Sequence, residues 1–158
     1  MIEARPYHAD DAEAFIDLYR ECLGYYRVRA ATEAQESRIL KMLEDERHMS
    51  CLIAVEGNIA LGFATWVLTV PAGSDVALYM KELFVSEGAR GRGVGRALMA
   101  ALVRIAEAEG CCRVDWQTDK DNPESQAFYA QLEAPVFDKV SYRVHAEEYQ
   151  AFLSRLEG

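Results

Sequence analysis

The stretch that decides the fold reads Gly88-Ala89-Arg90-Gly91-Arg92-Gly93-Val94-Gly95-Arg96. It follows an apolar run, Val76 to Val85, that predicts a strand. It precedes a segment with apolar residues at helical spacing, which predicts a helix through about Ala108. A helix start presents unpaired backbone N–H groups and the positive end of the helix dipole, and glycines let the backbone approach an anion closely. A loop of this kind before a helix is typical of a phosphate-binding site.

Arginines are concentrated around this loop. The segment from Gly88 to Ala106 contains four of them and no acidic residue, whereas the whole chain has a formal net charge of −9. They are Arg90, Arg92, Arg96 and Arg104. A P-loop would need Lys and then Ser or Thr after its last glycine, but Val94 and Gly95 follow Gly93. A dinucleotide fingerprint fails as well, because no G-x-G-x-x-G can be read here.

The pattern Arg90-x-x-Gly93-x-Gly95 resembles the central motif of the GNAT superfamily of N-acetyltransferases. The run Glu82 to Val85 resembles the family's fourth strand, and Asn122 to Tyr129 resembles its second conserved helix. The similarity in element order covers nearly the whole chain. It implies direct transfer of an acetyl group from acetyl-CoA to an amine.

The resemblance also implies roles for individual residues. Tyr129 would be the acid that protonates the leaving thiolate, and Glu82 the base, acting directly or through water. On a regular strand Lys81 faces away from Glu82, and a bulge would alter which side chain points inward. Glu82 as an exposed strand carboxylate remains the alternative. The implied cofactor-binding residues are Leu83, Phe84, Val85, Arg90, Gly91, Arg92, Gly93, Val94, Gly95, Arg96, Asn122, Ser125 and Tyr129.

The whole chain predicts one α/β (α+β) domain over residues 1–158, with a mixed, mostly antiparallel sheet flanked by helices. The expected order is β-α-α-β-β-β-α-β-α-β-α. A capping box at Thr32 and Gln35 starts the second helix, and Gly24 is expected to end the first. Further strands are expected at 111–118 and 136–144. A turn is expected at 71–75, and a last helix at 146–156.

The acceptor is less well defined by the sequence. By resemblance, Tyr25 and Tyr26 would lie where the family recognises its acceptor, and Trp66 would line the same cleft. Residues 139–144 and Trp116 look closest to the branch that acetylates small amines, including polyamines. An acidic cluster would attract a polycation or simply be a solvated helix face; it comprises Glu33, Glu36, Glu44, Asp45 and Glu46. A protein lysine or N-terminal acetyltransferase and a non-catalytic acyl-CoA sensor remain alternatives.

Composition disfavours several other classes of protein. An acidic chain with a pI of about 4.8 disfavours nucleic-acid binding. The four cysteines and three histidines have no metal-ligand spacing, so no metal is expected. We expect no membrane span and no signal peptide. The expected location is the cytoplasm, with reduced thiols. By resemblance a homodimer is expected.

Overall fold

The structure, a computed structural model, describes residues 1–45, 48–72 and 75–157. These residues form two units, Met1–Gln117 and Thr118–Gly158. Glu46 of the acidic cluster and residues 73–74 of the expected turn lie outside the described residues. The expectation of one domain over 1–158 stays a prediction.

Five strands and three helices form the described part of the first unit. In chain order they are β1 (Ile2–Pro6), α1 (Ala12–Tyr25), α2 (Glu33–Glu44), β2 (Ser50–Glu56), β3 (Ile59–Thr69), β4 (Ala77–Val85), α3 (Val94–Ala108) and β5 (Val114–Asp115). The strands lie side by side in the same order, with β1 to β4 antiparallel and β5 parallel to β4. The three successive strands of the expected element order, β2 to β4, form an antiparallel meander.

Helix α1 ends one residue later than the sequence predicts. It runs through Gly24 to Tyr25, and Arg27 then takes the left-handed conformation with a φ of 54°. The Val28 N–H donates to the Leu23 carbonyl and the Arg27 N–H to the Gly24 carbonyl, each at 3.1 Å. This pair of bonds is the Schellman motif, which usually places glycine at the left-handed position. Gly24 was therefore a misleading stop signal, because the residue that turns the chain is Arg27.

Helices α1 and α3 cover opposite faces of the sheet. Under α1, the Phe15 ring lies 4.9 Å from Phe63, which lies 6.1 Å from Phe84. Helix α3 packs on β1 to β4 and buries Leu98 and Leu102 completely. The apolar spacing that predicts α3 therefore reflects its contact with the sheet.

A β-bulge interrupts β4 at Lys81. Thr65 pairs with Glu82, but the next residue of β3, Trp66, pairs with Met80, so Lys81 has no partner across the ladder. Directly paired residues point to the same face, and successive residues of β3 point to opposite faces. Met80 and Glu82 therefore lie on opposite faces. On a regular strand Met80 and Glu82 would point to the same face.

The expected strand at 111–118 is wrong in length, because β5 is only Val114–Asp115. These two residues pair with Leu78 and Tyr79. A bulge bends its strand and increases the local twist. The bulge at Lys81 lies two residues beyond Tyr79, the last residue of β4 that pairs with β5. In the described part of the chain no strand covers this edge of β4 beyond Tyr79.

The second unit contains α4 (Pro123–Gln131) and α5 (Tyr149–Glu157), the latter preceded by a single 3-10 turn at Ala146–Glu148. The strand expected at 136–144 is wrong: the described residues there form no strand. A strand needs another strand beside it for its backbone groups, and this segment is not part of the described sheet. Four of its five apolar side chains are at least three-quarters exposed, namely Val136, Phe137, Val140 and Tyr142, and Val144 is half-buried.

Gly62 in β3 tests the sheet packing. A Cβ at this position would lie 2.5 Å from the Phe84 carbonyl oxygen, which belongs to the backbone and cannot move aside cheaply. We expect Gly62→Ala to lower the free energy of unfolding by about 1–3 kcal/mol. Urea unfolding followed by circular dichroism measures it.

Gly24→Ala is the matched control. A Cβ added at Gly24 would have no other atom within 4 Å, and the residue is helical. We therefore expect Gly24→Ala to raise the free energy of unfolding by about 0.5–1 kcal/mol. A Gly62→Ala protein as stable as the wild type would contradict the described pairing of β3 with β4.

Candidate active site

The loop between β4 and α3 has the backbone of an anion site. Gly91 and Gly93 have φ values of 73° and 89°, in the left-handed region that favours glycine. Gly93 caps α3, and no acidic residue lies in the first helical turn. The first N–H groups of α3 have no acceptor within the helix. Buried Val94 anchors this turn to the core.

The predicted arginines differ in their surroundings. The Arg90 Nε donates to the Val85 carbonyl at 3.3 Å, and its guanidinium lies 4.7 Å from the centre of the Tyr25 ring. Arg92 forms an ion pair with Glu56. Arg96 is exposed on the first turn of α3. Arg90 therefore fixes the loop against β4 and α1, and Arg96 is the more accessible cation.

The uncovered edge of β4 contains the residues predicted to hold the pantetheine arm. Leu83 and Val85 lie beyond Tyr79, where β4 pairs only with β3 among the described strands. Backbone groups that point away from β3 can therefore bind a ligand in the manner of another strand. Phe84 differs, since its side chain is buried in the aromatic cluster under α1.

Glu82 faces the C-terminal half of α1. Its Oε1 accepts a hydrogen bond of 3.1 Å from the Tyr26 hydroxyl, and both side chains are half-buried. Tyr26 directly follows α1. Because the bulge turns Glu82 to this side, the carboxylate lies among α1 side chains while exposed Lys81 does not.

The titratable groups around Glu82 stay protonated. Burial, and then the Glu82 charge, raises the pKa of the Cys22 thiol to about 12. The same two causes, with the hydrogen bond from its own hydroxyl, raise the pKa of Tyr26. Burial first, then the charges of Cys22 and Glu82, raise the pKa of Tyr19. Tyr26 therefore remains a hydrogen-bond donor to Glu82 at any working pH.

The three predicted acceptor residues occupy different places. Tyr26 contacts Glu82 directly. Tyr25 packs between Arg90, Tyr26 and Phe84, with its ring 6.2 Å from that of Phe84. Trp66 pairs with Met80, on the face of the sheet opposite to Glu82.

Within the second unit, Asn122 starts α4. Its Oδ1 accepts a hydrogen bond of 3.0 Å from the Ser125 N–H, so the side chain caps the helix. Tyr129 is half-buried, with its ring 5.0 Å from that of Phe128. Asn122, Ser125 and Tyr129 share one face of α4 by spacing.

The family model described as the acetyltransferase (GNAT) family matches residues 12–133. The chain belongs to the GNAT family. It is an N-acetyltransferase that uses acetyl-CoA, as GNAT enzymes do.

Individual relatives agree with the GNAT assignment. The D-amino-acid N-acetyltransferase HPA3 of Saccharomyces cerevisiae is 29% identical over 136 residues, or 84% of each chain. An integron cassette protein from the mobile metagenome of V. cholerae has a TM-score of 0.81 and 29% identity, over 96% of this chain and 97% of that one. The aminoglycoside N-acetyltransferase AAC(6')-Iy, solved with CoA, has a TM-score of 0.79, over 92% of this chain and 95% of that one. At 20% identity this last likeness shows the GNAT fold alone.

The described residues contain neither a candidate metal site nor a candidate membrane span. No group of three His, Cys, Asp or Glu side chains in residues 1–45, 48–72 and 75–157 could hold a metal ion. None of the helices described there has the length and apolar character needed to cross a bilayer.

The sequence did not reveal that Tyr19 and Cys22 neighbour the Glu82 carboxylate of this GNAT protein. Both lie on the face of α1 that packs in the core, and apolar spacing by itself predicts only this packing. Tyr19, Cys22 and Tyr26 are spaced i, i+3 and i+7. Two tyrosines on one buried helix face signal a polar partner, because buried hydroxyls are normally hydrogen-bonded.

Tyr26→Phe tests the Glu82 environment, with Glu82 as the predicted base. The carboxylate would lose a donor that favours its charged form, so it would be protonated at higher pH. We expect kcat/KM to fall about 10-fold or more and the acid limb of its pH profile to move upward. Steady-state rates across pH measure both.

Tyr79→Phe is the control for Tyr26→Phe, because Tyr79 lies on β4 with Glu82 but its hydroxyl makes no hydrogen bond to any described residue. We expect it to keep the wild-type profile. An unchanged profile in Tyr26→Phe as well would mean that the contact has no part in the reaction.

Proposed function

We propose that this GNAT enzyme transfers the acetyl group of acetyl-CoA to the primary amine of a small molecule. The observation that carries the proposal is the Glu82 carboxylate, turned toward α1 by the bulge and held by the Tyr26 hydroxyl at 3.1 Å. It lies on the same strand as the uncovered edge of β4. A base and a ligand-binding strand edge therefore lie next to each other.

The residues present fit acetyl-CoA. N–H groups from Gly91 to Arg96 would hold the pyrophosphate, since glycines allow the close approach and the helix dipole favours an anion. Backbone groups at Leu83 and Val85 would hold the pantetheine arm and polarise the carbonyl. When bound, acetyl-CoA supplies the activated thioester carbonyl.

Two side chains would move protons in this reaction. The acceptor amine must be neutral to attack, so Glu82 would take its proton, directly or through water. Tyr129 Oη would donate a proton to the sulfur that leaves, since a phenol is a suitable acid. Asn122 and Ser125 would contact the cofactor from the same face of α4.

A small-molecule acceptor is supported by the relatives. The yeast relative at 29% identity is a D-amino-acid N-acetyltransferase by name, and it matches most of both chains. Tyr26 would contact this acceptor, since it directly adjoins the base. Transfer to a protein lysine or N-terminus, or acyl-CoA binding without turnover, are the two competing outcomes.

We further propose that the enzyme acts as a homodimer in the cytoplasm. The thiols of Cys22 and Cys51 are free and buried, which suits a reducing compartment. Exposed apolar side chains such as Phe137 and Tyr142 would gain cover in an interface. Light scattering that gives a monomer mass at micromolar concentration would overturn the dimer.

Tyr129→Phe tests the proposed chemistry. We expect kcat for thiol release from acetyl-CoA to fall about 100-fold or more, because the leaving thiolate loses its acid. The thermal shift caused by CoA should remain, since the ring is kept. The acceptor panel contains amino acids, their amides, polyamines, an aminoglycoside and a lysine peptide.

Tyr142→Phe, at an exposed tyrosine in the same unit, is the control and should match the wild type. Equal rates for Tyr129→Phe would remove Tyr129 from the mechanism. A CoA-dependent thermal shift without turnover of any amine would favour the sensor, and turnover of the peptide alone would favour a protein substrate.

A further inference from the structure

Tyr25, the last residue of α1, contacts both the loop before α3 and the residue that binds Glu82. Its ring is half-buried against the aromatic cluster. The Arg90 guanidinium lies 4.7 Å from the ring centre, the Tyr26 ring 5.0 Å and the Phe84 ring 6.2 Å. Arg90 belongs to the loop, and Tyr26 donates to Glu82. One aromatic ring therefore joins the two parts of the site.

On the side of the loop, α1 makes a second contact one turn before Tyr25. The Glu21 carboxylate accepts a hydrogen bond of 2.7 Å from the Glu87 N–H. Glu21 and Tyr25 are four residues apart and share one face of α1. They therefore contact both ends of the segment from Glu87 to Arg90, which leads directly into Gly91. A cation over an aromatic face is attracted by the quadrupole of the ring, so the guanidinium strengthens this attachment.

On the side of the base, the Tyr25 ring limits where the Tyr26 ring can lie. The two rings meet edge-to-face at 77°, a preferred geometry for aromatic pairs. The Tyr26 N–H donates to the Cys22 carbonyl at 3.1 Å, which fixes its backbone at the end of α1. Because a hydrogen bond weakens steeply when its donor turns away, the packing of Tyr25 affects how well Tyr26 holds the Glu82 carboxylate.

We propose that Tyr25 is a positioning residue, whose ring holds the loop before α3 and the Tyr26–Glu82 pair in one arrangement. The inference rests on the proposed function, since it takes this loop as the pyrophosphate site and Glu82 as the base. Tyr25 acts through Arg90 and Tyr26, and its role therefore differs from the acceptor contact that the family resemblance implies. Cofactor affinity and proton transfer both depend on this one ring.

Tyr25→Leu removes the ring and keeps an apolar side chain. We expect Kd for CoA, measured by calorimetry, to rise about 5-fold or more, because the loop loses its cation–π contact. We also expect the acid limb of kcat/KM to move upward, as for Tyr26→Phe, because a displaced hydroxyl no longer favours the charged form of Glu82. The relative rates with different amines should stay as in the wild type. Tyr25→Phe, which keeps the ring, should change both quantities less.

A double variant tests whether Arg90 and Tyr25 act as a unit. Arg90→Met keeps an unbranched side chain but removes the cation, and should also raise Kd for CoA. If both residues act through one contact, Tyr25→Leu should raise Kd little further in the Arg90→Met protein, whereas independent effects would multiply. Multiplied effects would overturn the link through Arg90.

Phe15→Leu is the control for a merely structural loss. Phe15 is a fully buried aromatic residue of α1, and its ring packs on Tyr7, Tyr19 and Phe63 instead. This variant should have a lower melting temperature, with Kd for CoA and the acid limb at wild-type values.

Three results would overturn the inference while the proposed function stands. They are wild-type Kd and pH profile in Tyr25→Leu, an altered acceptor preference of Tyr25→Leu with unchanged Kd, and the same shifts in Phe15→Leu. Absence of turnover with every amine in the wild type would overturn the proposed function itself, and the inference with it.

Discussion

Lys81 interrupts the pairing of β3 with β4, and the position of the Glu82 carboxylate depends on this single extra residue. The bulge turns Glu82 to the face of α1, where Tyr26 donates to it, while Met80 points to the opposite face. The pairing of β4 with β5 ends at Tyr79, so no described strand covers the following backbone of β4 on this side. On a regular strand Met80 and Glu82 would point to the same face of the sheet.

The rest of the first unit fixes this strand from both sides. The aromatic cluster under α1 buries Phe84, and the Arg90 side chain joins the loop after β4 to the Val85 carbonyl and the Tyr25 ring. These contacts hold the loop that contains Gly91 and Gly93 in a fixed position after β4. Core packing therefore determines where the loop before α3 lies relative to the Glu82 carboxylate, and this suits a reaction that depends on the positions of the reacting groups.

The sequence predicted the GNAT family, the loop and most elements, because each depends on local signals: glycine spacing, caps such as Thr32, and apolar periodicity. The sequence failed to predict the structure of segments whose conformation depends on pairing with another strand. Residues 136–144 were expected to be a strand but are not part of the described sheet, and β5 covers only Val114–Asp115 because its pairing with β4 ends there.

The measurement that tests the account most directly is the pH dependence of kcat/KM for Glu82→Gln beside the wild type. The amide keeps the shape and the hydrogen bond from Tyr26 but cannot accept a proton. We predict a fall of about 100-fold or more near neutral pH, with recovery as the pH rises and the acceptor amine loses its proton unaided. CoA binding should be unchanged. A variant with wild-type rates at all pH values would contradict the central role given to the bulge and its carboxylate.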